Sequence, residues 1–231
     1  MNLLDMLSGD FKPLTYKTRS IVVLNCKGGS GKTTLATNLA SYYATKGVPV
    51  VLADFDPQGS SLAWLAARDP DHPPIYGLAA WKESHWIPQG TEIVIMDMPA
   101  GVRDKHVTRF IRRAQTVIIP VLPSPVDMRA AADFIQALLA EHKRAQLPAK
   151  LALLANRVRE NTRAYENLDE FLSAIKLPFI ASLRDNQNYL TAAERGVGIF
   201  ELGTVSANTD VEQWQPLLKW LKAKRSMPAA S

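Results

Sequence analysis

A run of seven residues near the start of the chain combines glycine, lysine and hydroxyl side chains at a spacing suited to phosphate chemistry. The run consists of Lys27, Gly28, Gly29, Ser30, Gly31, Lys32 and Thr33. Glycines let consecutive backbone N–H groups turn inward around an anion, and a following helix adds the positive end of its dipole. Lys32 would then reach the β- and γ-phosphates of a nucleoside triphosphate, and the Thr33 hydroxyl is placed to bind magnesium.

Three aspartates follow apolar segments that are typical of buried strands. Asp54 and Asp56 come after the segment Val48 to Ala53, and Asp97 follows Ile93 to Met96. The carboxyl ends of parallel strands are where open α/β sheets bind ligands. Asp54 and Asp56 alternate along a strand end, so their side chains point in different directions. These carboxylates can hold a magnesium-bound water, orient an attacking water, or cap the helix that follows.

Strands and helices alternate along the chain in a pattern that predicts one α/β domain with parallel strands joined by right-handed crossovers. The predicted strands are Ile21–Leu24, Val48–Ala53, Ile93–Met96, Thr116–Val121, Leu151–Ala155 and Phe179–Leu183. The predicted helices are Lys32–Thr45, Lys105–Arg113, Met128–His142, Arg163–Ala174 and Asp210–Lys222. The 231 residues, of which 47% are hydrophobic and 21% are charged, can bury one sizeable core.

Cys26 stands where the standard phosphate-loop pattern has glycine, and Lys27 follows it. With this early lysine, the loop resembles the deviant phosphate loop of the ParA/MinD family of ATPases. The resemblance implies ATP and Mg²⁺ as ligands and a P-loop domain whose mostly parallel central sheet is flanked by helices. It also implies a homodimer that sandwiches ATP, in which Lys27 reaches the partner protomer's phosphates as a catalytic residue.

The same family pattern implies roles for the other site residues. Lys32 acts on the phosphates, Asp56 orients the attacking water, and Thr33, Asp54 and Asp97 form the magnesium shell. The family also places an asparagine against the adenine edge at the end of the strand Leu151–Ala155. The implied nucleotide-binding residues are Gly28, Gly29, Ser30, Gly31, Lys32, Thr33, Thr34, Asn156 and Arg157.

Two further segments resemble different branches of the family. The proline-rich stretch from Pro120 to Asp127 is similar to small plasmid-partition ParA proteins and to carboxysome-positioning McdA-like proteins, whereas Pro99-Ala100-Gly101 is similar to MinD. The first branch implies that the protein positions or segregates a cargo, such as a plasmid, a chromosome region, a carboxysome or another protein assembly. A ParB-like or McdB-like partner bound to that cargo would stimulate ATP hydrolysis. The single cysteine, Cys26, fits a reducing cytoplasm.

The formal net charge of +5 is compatible with an anionic partner. Nucleoid-binding ParA proteins grip DNA phosphates with basic side chains and without reading the base sequence. By resemblance, the candidates in this chain are Arg184, Arg195, Lys219 and Lys222. Each of them can equally be a solvated surface residue. With these contacts, we expect a cytoplasmic, nucleoid-associated protein.

A competing hypothesis is a MinD-type membrane ATPase that regulates division or flagellar placement. Its relatives bind lipid through a C-terminal amphipathic helix, and here Trp214, Leu217, Leu218 and Leu221 form an apolar stripe. A final core helix needs the same stripe, and we favour that interpretation because the residues beyond it form no terminal hydrophobic cluster. A nitrogenase-reductase-like electron donor would need several cluster-ligating cysteines, which Cys26 alone cannot supply.

The domain boundaries follow from these assignments. Residues 1–19 are predicted to be an N-terminal extension, residues 20–225 the ATPase domain, and residues 226–231 a flexible tail. The segment from residue 68 to residue 90 is rich in proline and contains Trp81 and Trp86. It is predicted to be a packed connection or a surface for a partner.

Overall fold

The computed structural model describes residues 18–82, 87–101, 108, 110–112 and 114–228. Within these residues, seven strands form one sheet in the order β3-β2-β4-β1-β5-β6-β7, and every neighbouring pair runs parallel. The strands are β1 (Arg19–Val23), β2 (Val50–Asp54), β3 (Tyr76–Ala79), β4 (Ile93–Asp97), β5 (Thr116–Val121), β6 (Lys150–Val158) and β7 (Phe179–Arg184).

Helices cover both faces of the sheet. They are α1 (Lys32–Thr45), α2 (Ser60–Ala66), α3 (Pro125–Arg144), α4 (Arg163–Ala174), α5 (Gln187–Glu194) and α6 (Asn208–Lys222). Alternate residues of the central strand face opposite cores: Ile21 and Val23 join the cluster under α1 and α6, while Val22 and Leu24 join the cluster under α3 and α4. Burial on both faces explains why the strands are continuous apolar runs.

The strand order fixes where a ligand can bind. β1 lies between β4 and β5. The connection that leaves β1 leads to β2 on one side of it, whereas the connection that leaves β4 leads to β5 on the other side. Ligands of open α/β sheets bind beyond the carboxyl ends of the strands at such a reversal. The loop from β1 to α1 and the aspartates that end β2 and β4 all lie at this edge, which we call the nucleotide edge.

The sequence predicted the α/β class and the parallel sheet, and the structure confirms both. It also confirms the helices Lys32–Thr45 and Arg163–Ala174 at the predicted bounds. The predicted helix over Lys105–Arg113 lies mostly outside the described residues. The elements α2, β3 and α5 were not predicted, and β3 is the edge strand that the proline-rich segment contributes.

The last described turn of the chain is anchored to the sheet. Ser226 is fully buried in the 3-10 turn Lys224–Ser226, and its backbone carbonyl accepts a 2.6 Å hydrogen bond from Thr116 Oγ1. The Arg19 guanidinium donates to the Leu221 carbonyl and, at 2.8 Å, to Ser226 Oγ. Ser226, the first residue of the predicted tail, is therefore held between the starts of β1 and β5.

Candidate nucleotide and magnesium site

The phosphate loop joins β1 to α1 and leaves the start of that helix open. Helix α1 begins at Lys32, and its N-cap Gly31 has φ of 90°, in the left-handed region that favours glycine. No side chain among the described residues caps the helix start. A Cβ atom at Gly31 would also lie only 2.0 Å from Asn156 Nδ2. Free amides at a helix N-terminus are suited to bind phosphate.

The Lys32 ammonium sits inside this loop. The residue is 7% exposed, and its Nζ donates a 2.9 Å hydrogen bond to the Lys27 carbonyl. Burial lowers the pKa of Lys32, and the carboxylates of Asp97 and Asp56 partly counter that effect. An ammonium has three donors, so Lys32 retains the capacity to bind phosphate oxygens.

Asp97 and Thr33 form the centre of the site. Thr33 Oγ1 donates to Asp97 Oδ2 at 2.8 Å, while the buried Oδ1 of the same carboxyl group has no hydrogen-bond partner among the described residues. Burial raises the pKa of Asp97 to about 7, and the hydrogen bond from Thr33 acts in the opposite direction. A hydroxyl beside a carboxylate with a free oxygen is a donor set that suits Mg²⁺, which prefers oxygen ligands.

Asp54 and Asp56 organise the loop between β2 and α2. Asp54 is fully buried, and its Oδ1 accepts from the Asp56 N–H at 2.9 Å. Its Oδ2 accepts from the N–H groups of Ser61 and Leu62 at the start of α2, at 3.0 and 3.3 Å. Asp54 lies opposite Asp97 on the neighbouring strand. Asp54 therefore fixes the loop that presents the half-buried Asp56 beside the phosphate site.

The early lysine of the loop has a fixed backbone and an accessible side chain. The Lys27 N–H donates to Asn25 Oδ1 at 3.2 Å, and the Lys27 carbonyl also accepts from Ser30 Oγ at 3.2 Å. The residue as a whole is half-buried. This placement is compatible with a side chain that reaches out of its own protomer, and the role of Lys27 in trans stays a prediction.

A cavity of ≈ 280 Å³ opens beside the phosphate loop at the ends of β6 and β7. Asn156 reaches it from β6, and its Nδ2 donates to the Ser30 carbonyl at 2.9 Å. Arg157 next to it has φ of 52°, at a shift in the β6–β7 register. The residues after β7 complete the wall with Asp185, Asn186 and Gln187. The cavity has room beside the loop for the base of a nucleotide whose phosphates would bind at Lys32, and we call it the base cavity.

A second cavity of ≈ 320 Å³ lies between α1, α2 and α5. It shares Thr34 and Tyr189 with the first cavity, and Trp64 of α2 forms another part of its wall. Among the described residues, no group of three or more His, Cys, Asp and Glu side chains could hold a metal ion. Thr33 and Asp97 would therefore need phosphate oxygens and water to complete a magnesium site.

A family model for the CobQ/CobB/MinD/ParA nucleotide binding domain matches residues 21–199. The chain belongs to this family. Relatives within the ParA/MinD group include the maintenance of carboxysome distribution protein A of Halothiobacillus neapolitanus, which is 28% identical over 81% of this chain and 89% of its own length. Protein ParA of Rhizobium radiobacter is 36% identical, over 54% of this chain and 58% of its own length.

The fold agrees with a solved structure from the same group. The ATP complex of a McdA variant from Cyanothece superposes with a TM-score of 0.69 at 15% sequence identity, over 93% of this chain and 99% of the other. The resemblance to the ParA/MinD family that the phosphate loop predicted is confirmed.

The ParA/MinD resemblance also predicted four DNA-binding side chains, which the structure places in different surroundings. Arg184 pairs with the fully buried Asp210, at 2.5 Å from Nε to Oδ1. Arg195 is exposed just after α5. Lys219 and Lys222 are exposed near the end of α6. The Arg184 charge is thus already matched inside the protein, and these residues do not form one cluster.

The apolar stripe of α6 faces the core. Trp214 and Leu217 are fully buried, and Leu218 and Leu221 are 3% and 1% exposed. Trp214 also donates to the hydroxyl of Tyr189 at 3.0 Å. No described helix is both long enough and apolar enough to cross a bilayer. The stripe is occupied by internal packing, as the core-helix interpretation of the sequence expected.

The sequence analysis missed one wall of the base cavity and one buried ion pair. The base cavity includes Asp185, Asn186 and Gln187, which could have been found because they follow a predicted strand at the nucleotide edge. The second group is a buried ion pair between Arg68, after α2, and Glu201, with side chains 4% and 5% exposed. These two residues lie 133 positions apart, and no local pattern signals such a contact.

Proposed function

We propose that this chain is a ParA-type ATPase that binds ATP with Mg²⁺, closes into a homodimer over the nucleotides and hydrolyses ATP. The observation that carries the proposal is the Asp97 carboxyl group, buried beside Thr33 and Lys32 with one oxygen unpaired. Such a group is stabilised when a divalent cation and a phosphate chain occupy the loop in front of it. Mg²⁺ would neutralise charge on the β- and γ-phosphates.

Each side chain has a defined task in this proposal. Lys32 exchanges the Lys27 carbonyl for phosphate oxygens, and Asp56 orients a water for in-line attack on the γ-phosphorus. The bond from that phosphorus to the β–γ bridging oxygen breaks, which yields ADP and inorganic phosphate carrying the water's protons. Lys27 of the partner protomer stabilises the charge on the transferred group, as an arginine finger does. Asp54 keeps the Asp56 loop in place.

We further propose that the ATP-bound dimer binds duplex DNA without sequence preference and positions a cargo on the nucleoid in the cytoplasm. The cargo would carry a ParB-like or McdB-like protein that stimulates hydrolysis and so releases the dimer. Support comes from the net charge of +5 and from the relative named for carboxysome distribution. A MinD-type membrane function is less well supported because the stripe it would use is buried in the core.

Sedimentation of the purified protein separates these functions. The protein is mixed with nonspecific duplex DNA or with anionic liposomes, each with ATP, ADP or no nucleotide, in the presence of Mg²⁺. Asp56→Ala serves to hold the ATP-bound dimer, and Lys32→Ala is the control that should not bind ATP. ATP-dependent sedimentation with DNA alone supports the ParA-type function. Sedimentation with liposomes alone would instead assign the chain to the MinD type.

A further inference from the structure

The edge of the sheet opposite the nucleotide edge carries a concentration of basic side chains. Helices α1, α3 and α6 end there, and β6 begins there. The residues are Lys46, Lys143, Lys150, Lys219, Lys222, Lys224 and Arg225, all exposed. We call this set the basal rim. It lies about 20 Å from the phosphate loop, because α1 spans the distance with a rise of about 1.5 Å per residue.

The charges of the basal rim are not balanced by ion pairs within the part of the chain that the structure describes. Five salt bridges occur among the described residues, and none of them involves a member of the rim. Of the described acids towards this edge, Glu141 is paired with Arg144 at 2.6 Å, Glu92 precedes β4, and Asp169 and Glu170 are exposed on the second half of α4. The rim therefore has an excess of positive charge that faces solvent.

Helix dipoles explain only part of this pattern. A cation in the last turn of a helix is stabilised by the dipole, which accounts for Lys143 and Lys222 individually. It does not account for Lys150, which begins a strand. Lys46 and Lys222 lie 5.9 and 5.8 Å from the centre of the Tyr42 ring, so that ring attracts both ammonium groups at the surface of the rim.

The part of the rim that Lys224 and Arg225 form also has a fixed backbone. Lys224 and Arg225 belong to the 3-10 turn that Ser226 anchors, where Ser226 Oγ lies 2.9 and 2.8 Å from the carbonyl oxygens of Leu221 and Ala223 and can donate its one proton to either. Basic residues on an anchored turn lose less conformational freedom on binding than basic residues on a loose tail.

We propose that the basal rim is the surface through which this protein contacts the phosphates of duplex DNA. The choice of DNA rests on the proposed function, whereas the choice of surface rests on the exposure, the unbalanced charge and the rigidity of the rim. Lysine ammonium groups bind phosphates as point charges and carry no sequence information, which suits nonspecific contacts. The rim thus replaces the pair Arg184 and Arg195 as the principal DNA surface.

The test compares two triple variants with the same change in net charge. The rim variant is Lys222→Gln/Lys224→Gln/Arg225→Gln. The control is Arg129→Gln/Arg163→Gln/Arg195→Gln, which removes three exposed basic residues elsewhere. DNA affinity is measured with ATP and Mg²⁺ by fluorescence anisotropy of a labelled duplex between about 50 and 200 mM salt, the range over which counterion release changes affinity steeply. ATP binding and intrinsic hydrolysis are measured in parallel.

The rim variant should lose at least about tenfold in DNA affinity at low salt. Its slope of log affinity against log salt should become shallower by about 2 to 3, since each lost phosphate contact removes about 0.9. The control should stay within about twofold of wild type, and both variants should keep wild-type ATP binding.

Three results would overturn the proposal. If the control loses as much DNA affinity as the rim variant, or more, the rim is not the DNA surface although the proposed function stands. If wild type binds no DNA in any nucleotide state, the proposed function itself fails. If the rim variant keeps wild-type DNA affinity, the rim is not the DNA surface, and a loss of its sedimentation with anionic liposomes would then identify the rim as a lipid surface.

Discussion

The Thr33 hydroxyl donates to Asp97 Oδ2 at 2.8 Å, and this single contact leaves the other oxygen of a buried carboxyl group without a partner. The two residues come from the start of α1 and the end of β4. Both residues offer oxygens of the kind that magnesium prefers, so a bound cation would supply the missing partner.

We predict that this arrangement makes the stability of the nucleotide-free protein depend on pH. The pKa of Asp97 is raised to about 7 in the fold from a usual value of 3.8, so the folded state binds more protons between these values. Stability should therefore fall as the pH rises from about 4 to 7 and then level off, by up to about 4 kcal/mol. Melting temperatures between pH 5 and pH 8 measure this effect.

Asp97→Asn is the matched variant, since it keeps the shape and removes the titration. Its loss of melting temperature between pH 5 and pH 7 should be smaller than that of wild type, and Mg²⁺ with ATP should no longer stabilise it. An identical pH dependence in Asp97→Asn and wild type would show that Asp97 does not titrate in this range.

Substitutions of the two lysines in the phosphate loop should separate ATP binding from ATP hydrolysis. Lys32→Ala removes the buried ammonium at the phosphates and should abolish ATP binding in equilibrium measurements with a fluorescent ATP analogue. Lys27→Ala changes a half-buried side chain and should leave measurable ATP binding but prevent dimer closure and hydrolysis. Size-exclusion chromatography with ATP and a phosphate-release assay test the second variant, and unaltered turnover would rule out a role in trans.

Asn156 should influence the phosphate loop as well as the base cavity. Its Nδ2 donates to the Ser30 carbonyl within a buried contact, and loss of one such bond costs about 1–3 kcal/mol. We expect Asn156→Ala to weaken ATP binding about tenfold or more. Asn167→Ala, an exposed residue of α4, is the control. Equal affinities of the two variants would contradict a role of Asn156 in the site.

Glu201 should be important for stability. It accepts hydrogen bonds from Arg68, from Ser41 Oγ of α1 at 2.6 Å and from the Gly198 N–H at 2.8 Å. Burial would raise the pKa of Glu201, but these hydrogen bonds outweigh it and hold the pKa below its usual value. Glu201→Ala leaves the Arg68 charge buried and unpaired, which should cost about 3–5 kcal/mol.

The corresponding fall in melting temperature is about 6–20 °C for a protein of this size. The control is Glu141→Ala, which removes the acceptor of the exposed Arg144 and of Thr108 and should lower the melting temperature much less, because exposed ion pairs contribute little to stability. Differential scanning calorimetry measures both variants. If Glu201→Ala melts at the temperature of Glu141→Ala, the buried pair is not a major source of stability.

The parts of the fold that the sequence predicted are those with strong local signals. The glycine loop, the buried strands and the helix Lys32–Thr45 each carry their pattern within a few consecutive residues. Helix α2 was missed because its seven residues are followed by a proline-rich connection, and α5 because it has only eight residues. Short helices have few residues with which to show a period.

The details of the site depend on contacts between distant residues. Asn156 contacts the phosphate loop at a shift in the strand register where Arg157 adopts a left-handed conformation, and arginine gives no sign of that conformation in the sequence. Arg184 was predicted to be a DNA contact, yet it pairs with Asp210, which lies 26 positions later and is fully buried. Sequence identifies which chemical groups are present, and packing decides which of them remain free.

The basal rim and the nucleotide site lie at opposite ends of the same strands. A dimer that closes across the nucleotide edge would therefore carry its two rims at its two far poles, facing away from each other. Such a dimer would act as a tether between two separate DNA segments, and a second contact would form more readily where duplex is dense. Its dwell time on DNA would then rise with the local compaction of the chromosome.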